Sequence, residues 1–156
     1  MTTIAISDGV VAVDTQATGG NYVVRVSKLV RLPDGGVAVG CGNFKDAWAG
    51  LKWLADGATG ETPEIEGAEI AIVRPDGQIL VAEGRFPAYP ILDRTYAMGC
   101  GADMARLAMA EGADPVTAVA RACELDAMSS APIMRMEAVS VIFPDATLHT
   151  VKRRKR

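Results

Sequence analysis

The second residue, Thr2, could supply both a nucleophile and a base. If Met1 is removed, Thr2 carries a hydroxyl and a free α-amine on the same residue. The pKa of such an amine is about 8, so a useful fraction is neutral at neutral pH and can accept the hydroxyl proton. Many proteins begin with Met-Thr, so this start alone does not identify an enzyme. The rest of the chain must indicate whether other groups support Thr2.

The composition favours one compact domain and argues against nucleic-acid binding. The chain has 156 residues, 49% of them hydrophobic, and a net charge of −3. We expect a single domain over 1–151, followed by a basic tail at 152–156. Because all five tail residues are basic, the preceding domain is more acidic than the net charge suggests. An acidic body with a basic end is atypical of a nucleic-acid-binding face. The tail is expected to be solvated or to dock on a neighbouring subunit.

Neither a disulfide framework, a metal site nor a cofactor is indicated. The three cysteines, Cys41, Cys100 and Cys123, show no CxxC spacing, and His149 is the only histidine. Reduced thiols fit a reducing compartment. No apolar run approaches the roughly 18 residues of a membrane span, and we expect no leader peptide. The sequence therefore predicts a cytoplasmic protein without membrane contact.

Turn signals divide the chain into short strands. Asp8-Gly9, the stretch 33–36, the stretch 75–77 and Pro144-Asp145 each separate runs rich in Val, Ile and Ala, as hairpins require. Strands are predicted at 2–7, 10–15, 24–32, 37–41, 68–74, 78–84, 136–143 and 146–151, with a short piece at 95–98. Helical spacing predicts helices at 43–57, at 102–111 and after an Asp114-Pro115 cap. The segments 56–67 and 84–94 are predicted loops.

The order of these elements predicts the fold class. Hairpins and helices do not alternate strand by strand, which excludes a doubly wound parallel sheet. The sequence predicts an α+β protein with two antiparallel sheets flanked by helices. Stacked face to face, these would form a four-layer αββα sandwich.

Six short segments follow one another along the chain: Thr2-Thr3-Ile4, Val13-Asp14-Thr15-Gln16-Ala17-Thr18, Val26-Ser27-Lys28-Leu29-Val30-Arg31-Leu32, Gly40-Cys41-Gly42-Asn43, Met98-Gly99-Cys100-Gly101 and Asp126-Ala127-Met128-Ser129. No single segment is specific, but their order and spacing together resemble the proteasome β-subunit superfamily, especially its HslV-type bacterial branch. The start Thr2-Thr3-Ile4 is similar to the mature start of that family. The resemblance implies a four-layer sandwich of the N-terminal nucleophile hydrolase type.

The resemblance implies a catalytic group around Thr2. Lys28 would stabilise the developing alkoxide and keep the nearby amine deprotonated, and Asp14 would hold the lysine in place. Gly42, or Asn43 if the alignment shifts by one residue, would offer a backbone N–H to the oxyanion.

A second set of residues would orient the amine and bind the substrate. Asp126 and Ser129 are implied to hydrogen-bond the amine, and Cys100 stands where the family has serine, a stronger hydrogen-bonding group. The first substrate pocket is implied to be small and apolar. Its residues would be Ala17, Thr18, Val26, Val30 and Cys41.

The implied function is a threonine-type endopeptidase that cleaves polypeptides inside a self-compartmentalised ring. The ring would be a homo-oligomer, stacked in pairs, with an ATP-dependent unfoldase as a possible partner. Two alternatives remain open at this point: a catalytically silent ring or shell subunit, and a small-molecule amidase with the same nucleophile.

Overall fold

The structure is a computed structural model and describes residues 1–140. This part of the chain forms eleven strands and three helices. The strands are β1 (Thr3–Ser7), β2 (Val10–Asp14), β3 (Gln16–Gly19), β4 (Tyr22–Arg25), β5 (Leu29–Arg31), β6 (Val37–Gly42), β7 (Ala68–Val73), β8 (Ile79–Glu83), β9 (Tyr89–Ile91), β10 (Thr95–Gly99) and β11 (Ile133–Glu137). The helices are α1 (Phe44–Ala55), α2 (Ala102–Ala110) and α3 (Pro115–Leu125).

Two antiparallel sheets and a separate hairpin make up the β structure. One sheet has the order β10-β1-β2-β11 and the other has the order β5-β6-β7-β8-β9, while β3 pairs only with β4. The β1–β2 connection is tight because Asp8 and Gly9 both take positive φ angles, of 49° and 81°. The α+β class and the antiparallel sheets predicted from the sequence are confirmed.

Alternation along β1 separates two parts of the core. Ile4 and Ile6 point to one face, where they join Val11 and Val13 of β2 in a cluster that also includes Val37, Val39, Val73 and Val81 of the five-stranded sheet. Ala5 points to the opposite face and packs with Ala12 against α2 and α3. A third cluster lies between α1 and the other side of the five-stranded sheet.

The helices begin where the sequence predicts them. The Asn43 side chain accepts hydrogen bonds from the N–H groups of Lys45 and Asp46, which caps α1. Asp114 caps α3 by accepting from the N–H of Thr117, and Pro115 occupies the first helical turn. Within residues 1–140, every helix is too short or too polar to span a membrane.

The strand predictions differ from the structure in three places. The predicted strand 24–32 is divided between the end of β4, which forms a hairpin with β3, and the separate strand β5. A short edge strand, β9, lies inside the predicted loop 84–94, and β11 begins three residues before the predicted 136–143. The predicted hairpin at Pro144-Asp145, the strand 146–151 with His149, and the tail 152–156 lie outside the described residues.

Candidate active site

Thr2 lies where two cavities meet, directly ahead of β1. One cavity has a volume of about 310 Å³ and the other about 720 Å³, and Met1, Thr2, Cys41 and Gly42 line both. Thr2 itself is only 4% exposed. The residue that follows Thr2 is held from two sides, because Thr3 pairs with Gly99 of β10 and its N–H donates to the Asp14 side chain at the end of β2.

A buried ion pair lies beside this junction. Nζ of Lys28 is 3.0 Å from Oδ1 of Asp14, and the two side chains are 4% and 0% exposed. Asp14 also accepts hydrogen bonds from the backbone N–H groups of Thr3, Gln16 and Ser130, at 2.9, 2.9 and 3.3 Å. Four donors therefore compensate the buried carboxylate, which makes its burial possible.

The electrostatics of Lys28 reflect two opposing effects. Desolvation by burial lowers the pKa of its ammonium, and the attraction to Asp14 only partly offsets this. Nζ also donates to the carbonyl oxygen of Met1, at 3.1 Å. The ammonium thus lies against the peptide bond that joins Met1 to Thr2, where its positive charge acts on the groups of Thr2.

A second hydrogen-bonded group reaches Thr2 from the other side. Oγ of Ser129 donates to Oδ2 of Asp126 at 2.6 Å, and Sγ of Cys100 donates to the same oxygen at 2.8 Å. Oγ1 of Thr3 lies 2.7 Å from Oγ of Ser129. Because the one proton of Ser129 is directed at Asp126, Thr3 is the donor in that contact. Sγ of Cys100 also lies 3.3 Å from the carbonyl oxygen of Thr2.

The charge of Asp126 is held by its neighbours. Desolvation acts to raise its pKa, but hydrogen bonds from Cys100, Ser129 and the N–H of Met128 outweigh it and keep the pKa below its usual value. The pKa of Cys100 is raised, first by desolvation and then by its contact with Asp126. The Asp126 carboxylate therefore accepts one hydrogen bond from a thiol and one from a hydroxyl.

The last residue of β6, Gly42, lies where the two cavities meet. Gly42 has a φ of +91°, and a Cβ at this position would collide with the carbonyl oxygen of Gly67. The N–H of Gly40 donates to the carbonyl of Lys28, so alternation along the strand directs the N–H of Gly42 to the same side. The N–H of Asn43 is already used, at 2.7 Å from the carbonyl oxygen of Gly67. Of these two candidate donors, Gly42 therefore has the suitable geometry.

The smaller cavity contains part of the predicted substrate pocket. Ala17, Thr18 and Cys41 line it, together with Lys28 and Gln16. Val26 and Val30 are not among its lining residues. Val30 instead packs against the cluster beneath α1, because β5 turns this side chain toward the helix.

Three residues of the site, Thr3, Gln16 and Ser130, were missed by the sequence analysis. Thr3 joins both hydrogen-bonded groups, through its N–H and its hydroxyl. Ser130 donates through its N–H to Asp14 and through its hydroxyl to Gln16. Their positions next to Thr2 and Ser129, and two residues after Asp14, were the available signal. Within residues 1–140, no group of three or more acidic, cysteine or histidine side chains is arranged to hold a metal ion.

Comparison with known proteins identifies the fold. Thiobacillus denitrificans BPH aligns with a TM-score of 0.63 and 20% identity, over 88% of this chain and 97% of that one. BPH in complex with epoxomicin aligns with a TM-score of 0.61 and 17% identity, over 88% and 98%. Eukaryotic HslV from Trypanosoma brucei aligns with a TM-score of 0.61 and 21% identity, over 86% and 99%. The sequence matches no protein-family model and no curated protein. The predicted resemblance to HslV-type proteins is confirmed at the level of the fold.

Proposed function

We propose that this chain is a threonine-type endopeptidase of the proteasome β-subunit and HslV kind, with Thr2 as its nucleophile once Met1 is removed. The observation that carries the proposal is the buried Asp14–Lys28 pair, set against the Met1–Thr2 peptide bond where two cavities meet. Burying two charges is costly for stability. A buried ion pair beside a cavity is therefore typical of a reaction site rather than of a stabilising contact.

The proposed reaction proceeds in two halves. The α-amine of Thr2 takes the proton from its own Oγ, and Oγ forms a bond to the carbonyl carbon of the substrate. The C–N bond then breaks, the proton passes from the amine to the leaving nitrogen, and an ester remains on Thr2. Water, deprotonated by the same amine, attacks the ester and releases the second product.

Lys28 would act on Thr2 through charge. A buried ammonium favours the developing alkoxide and, by like-charge repulsion, disfavours protonation of the adjacent amine. Asp14 keeps this cation in place, and its bonds to three backbone N–H groups hold it rigidly. The Gly42 N–H would donate to the oxyanion of the tetrahedral intermediate, a contribution of about 3–4 kcal/mol in comparable sites.

Asp126, Ser129 and Cys100 are proposed as positioning residues. They hold Thr3 by its hydroxyl and approach the carbonyl of Thr2, which fixes the nucleophile along the chain. This matters because a misplacement of about 1 Å can cost roughly 100-fold in rate.

The proposal extends to architecture and assembly. Helices lie outside both sheets and a shared apolar cluster lies between the sheets, which supports a four-layer αββα sandwich in one domain over 1–151. We infer a cytoplasmic homo-oligomeric ring, stacked in pairs, that admits polypeptides with the help of an ATP-dependent unfoldase. The fold shared with HslV supports this assembly.

The alternative is a silent shell subunit with the same fold. The Cys100 thiol favours it, because this group occupies a central place in the hydrogen-bonded network and is a weaker partner than a hydroxyl.

Labelling by a peptide epoxyketone such as epoxomicin tests the proposal. This class of reagent closes on both the hydroxyl and the amine of an N-terminal threonine, so one adduct per chain is expected on a processed Thr2. Intact-mass measurement reports Met1 removal and the adduct in the same spectrum. Hydrolysis of a fluorogenic peptide is measured in parallel.

Two variants make the result specific. Thr2→Ala should abolish labelling and hydrolysis, whereas Thr59→Ala changes an exposed threonine outside both cavities and should preserve both. Retention of Met1 on all chains with no labelling would overturn the endopeptidase and support the silent subunit.

A further inference from the structure

The larger cavity beside Thr2 has a strongly acidic lining. Among residues 1–140, its lining includes Glu66, Glu69 and Glu83 and contains no lysine, arginine or histidine. All three glutamates are exposed, and none forms an ion pair within the described part of the chain. The lining formed by residues 1–140 therefore carries three carboxylates and no basic side chain, and the α-ammonium of Met1 forms no ion pair with any of them.

Strand register brings two of these charges together. Glu69 of β7 lies directly opposite Glu83 of β8. Like charges in such cross-strand positions destabilise a sheet. Neighbouring groups compensate only slightly: the hydroxyl of Tyr89 donates to Oε1 of Glu83 at 2.9 Å, and Sγ of Cys41 lies 3.9 Å from Oε2 of Glu69. The arrangement is unfavourable for folding alone and favourable for binding a cation.

The negative field extends to the groups beside Thr2. Burial, and after it the carboxylate of Glu69, raises the pKa of the Cys41 thiol to about 12. Burial and the carboxylates of Glu69 and Glu83 also raise the pKa of Tyr96, which lines the same cavity. The acidic side chains thus act on the cavity interior and not only on solvent.

Thr2 connects this cavity to the reaction. Its side chain is almost fully buried, and its hydroxyl makes no hydrogen bond within residues 1–140, although it borders both cavities. A peptide whose scissile carbonyl meets this hydroxyl must extend into both spaces. The predicted pocket residues Ala17 and Thr18 line only the smaller cavity, which we therefore assign to the residue before the scissile bond. The residue after the bond then enters the larger one.

We propose that the larger cavity selects a cationic residue, lysine or arginine, on the leaving-group side of the scissile bond. This inference rests on the proposed peptidase function. A lysine or arginine side chain there would lie among three unpaired carboxylates. Each partly exposed pair contributes modestly, so the expected preference of lysine over alanine at this position is about tenfold in kcat/KM.

Quenched fluorescent peptides test this selection. Three peptides that are identical except for lysine, alanine or glutamate after the scissile bond should be cleaved in that order of kcat/KM. The preference should shrink at high salt, because exposed charges are screened. Mass spectrometry of the products confirms that all three are cut at the same bond.

Charge-removing variants locate the effect. The double variant Glu69→Gln with Glu83→Gln should lower the lysine-to-alanine ratio, because only Glu66 is left to attract the cation, and should raise Tm, since the like-charge pair is lost. Glu61→Gln removes an exposed glutamate outside the cavity and should leave the ratio unchanged. Equal cleavage of the three peptides by the unmodified protein overturns this inference alone. Failure to cleave any peptide overturns the peptidase proposal as well.

Discussion

Substitution of Asp14 is expected to damage the protein far more than substitution of its partner Lys28. Asp14→Asn preserves the shape of the side chain but leaves the Lys28 ammonium, 4% exposed, without its counter-charge. Lys28→Met removes the cation, while the Asp14 carboxylate keeps three backbone N–H donors. The two substitutions should therefore lower the free energy of unfolding by different amounts.

The magnitudes follow from the partners that remain. Breaking a buried pair so that one charge stays uncompensated costs about 3–5 kcal/mol, which is the expected loss for Asp14→Asn. Lys28→Met loses one charge-assisted hydrogen bond but also removes the desolvation cost of the ammonium, so a loss of about 1–2 kcal/mol is expected. Both variants should lose peptidase activity, because the charge beside Thr2 is either displaced or absent.

The pH dependence has a definite sign. In the folded protein burial lowers the pKa of Lys28 below its ordinary value of 10.5. At pH values between the folded-state pKa and 10.5, Lys28 is protonated in the unfolded chain and neutral in the folded protein. The free energy of unfolding therefore rises with pH in this range. Asp14→Asn removes the attraction that supports the charged form, so in this variant the rise should begin at a lower pH. In Lys28→Met this rise should be absent.

Urea unfolding at pH values between about 6 and 10 measures the free energy of unfolding of the unmodified protein and of both variants, and it also gives the pH dependence of each. The variant with both substitutions completes the cycle and should be more stable than Asp14→Asn alone, because no unpaired cation remains. Equal losses in the two single variants, or a larger loss for Lys28→Met, would refute the assignment of three backbone donors to Asp14.

Two further substitutions test other parts of the site. Gly42→Ala forces a side chain into a positive-φ position and against the Gly67 carbonyl, so peptidase activity should fall by about 100-fold or more and Tm should drop. Gly57→Ala, at a similar φ but with nothing within 4 Å, carries the backbone strain without the collision, so Tm should fall less than in Gly42→Ala and activity should be unchanged. Cys100→Ser should keep or raise kcat/KM, because a hydroxyl is the stronger hydrogen-bonding group. Cys123→Ser is its control, and a large loss for Cys100→Ser alone would show that the thiol has a role of its own.

Local turn chemistry made most elements of residues 1–140 predictable. Asp8-Gly9 and the capping residues Asn43 and Asp114 act over a few positions, so the sequence indicates them directly. The β3–β4 hairpin was missed because the apolar run from Val23 onward reads as one long strand. Its actual turn, with Gly20 at a φ of +55°, lies before that run and offered a signal that was overlooked.

The candidate site was predictable only as a set of residues and not as a network. That Asp14 and Lys28 are paired was implied by the family resemblance, and the geometry agrees with it. The contact of Thr3 with Ser129 joins positions 126 residues apart in the chain. Such a contact depends on how α3 and the following loop return to β1, which no local pattern encodes. Val30 illustrates the same limit, since it faces the side of β5 opposite to Leu29, and only the packing of the sheet decides which of the two sides lies beneath α1.

The first residue of the chain lies next to the space that a substrate of the proposed enzyme would need. Met1 borders both cavities and its carbonyl holds the Lys28 ammonium. A group tethered at this point competes with free peptide at an effective concentration on the order of millimolar. Any peptide extension ahead of Thr2, including an affinity tag, would therefore compete with substrate for this space and would also remove the free α-amine that the proposed mechanism uses as its base. Recombinant protein for activity measurements should carry nothing at that end that the cell cannot remove.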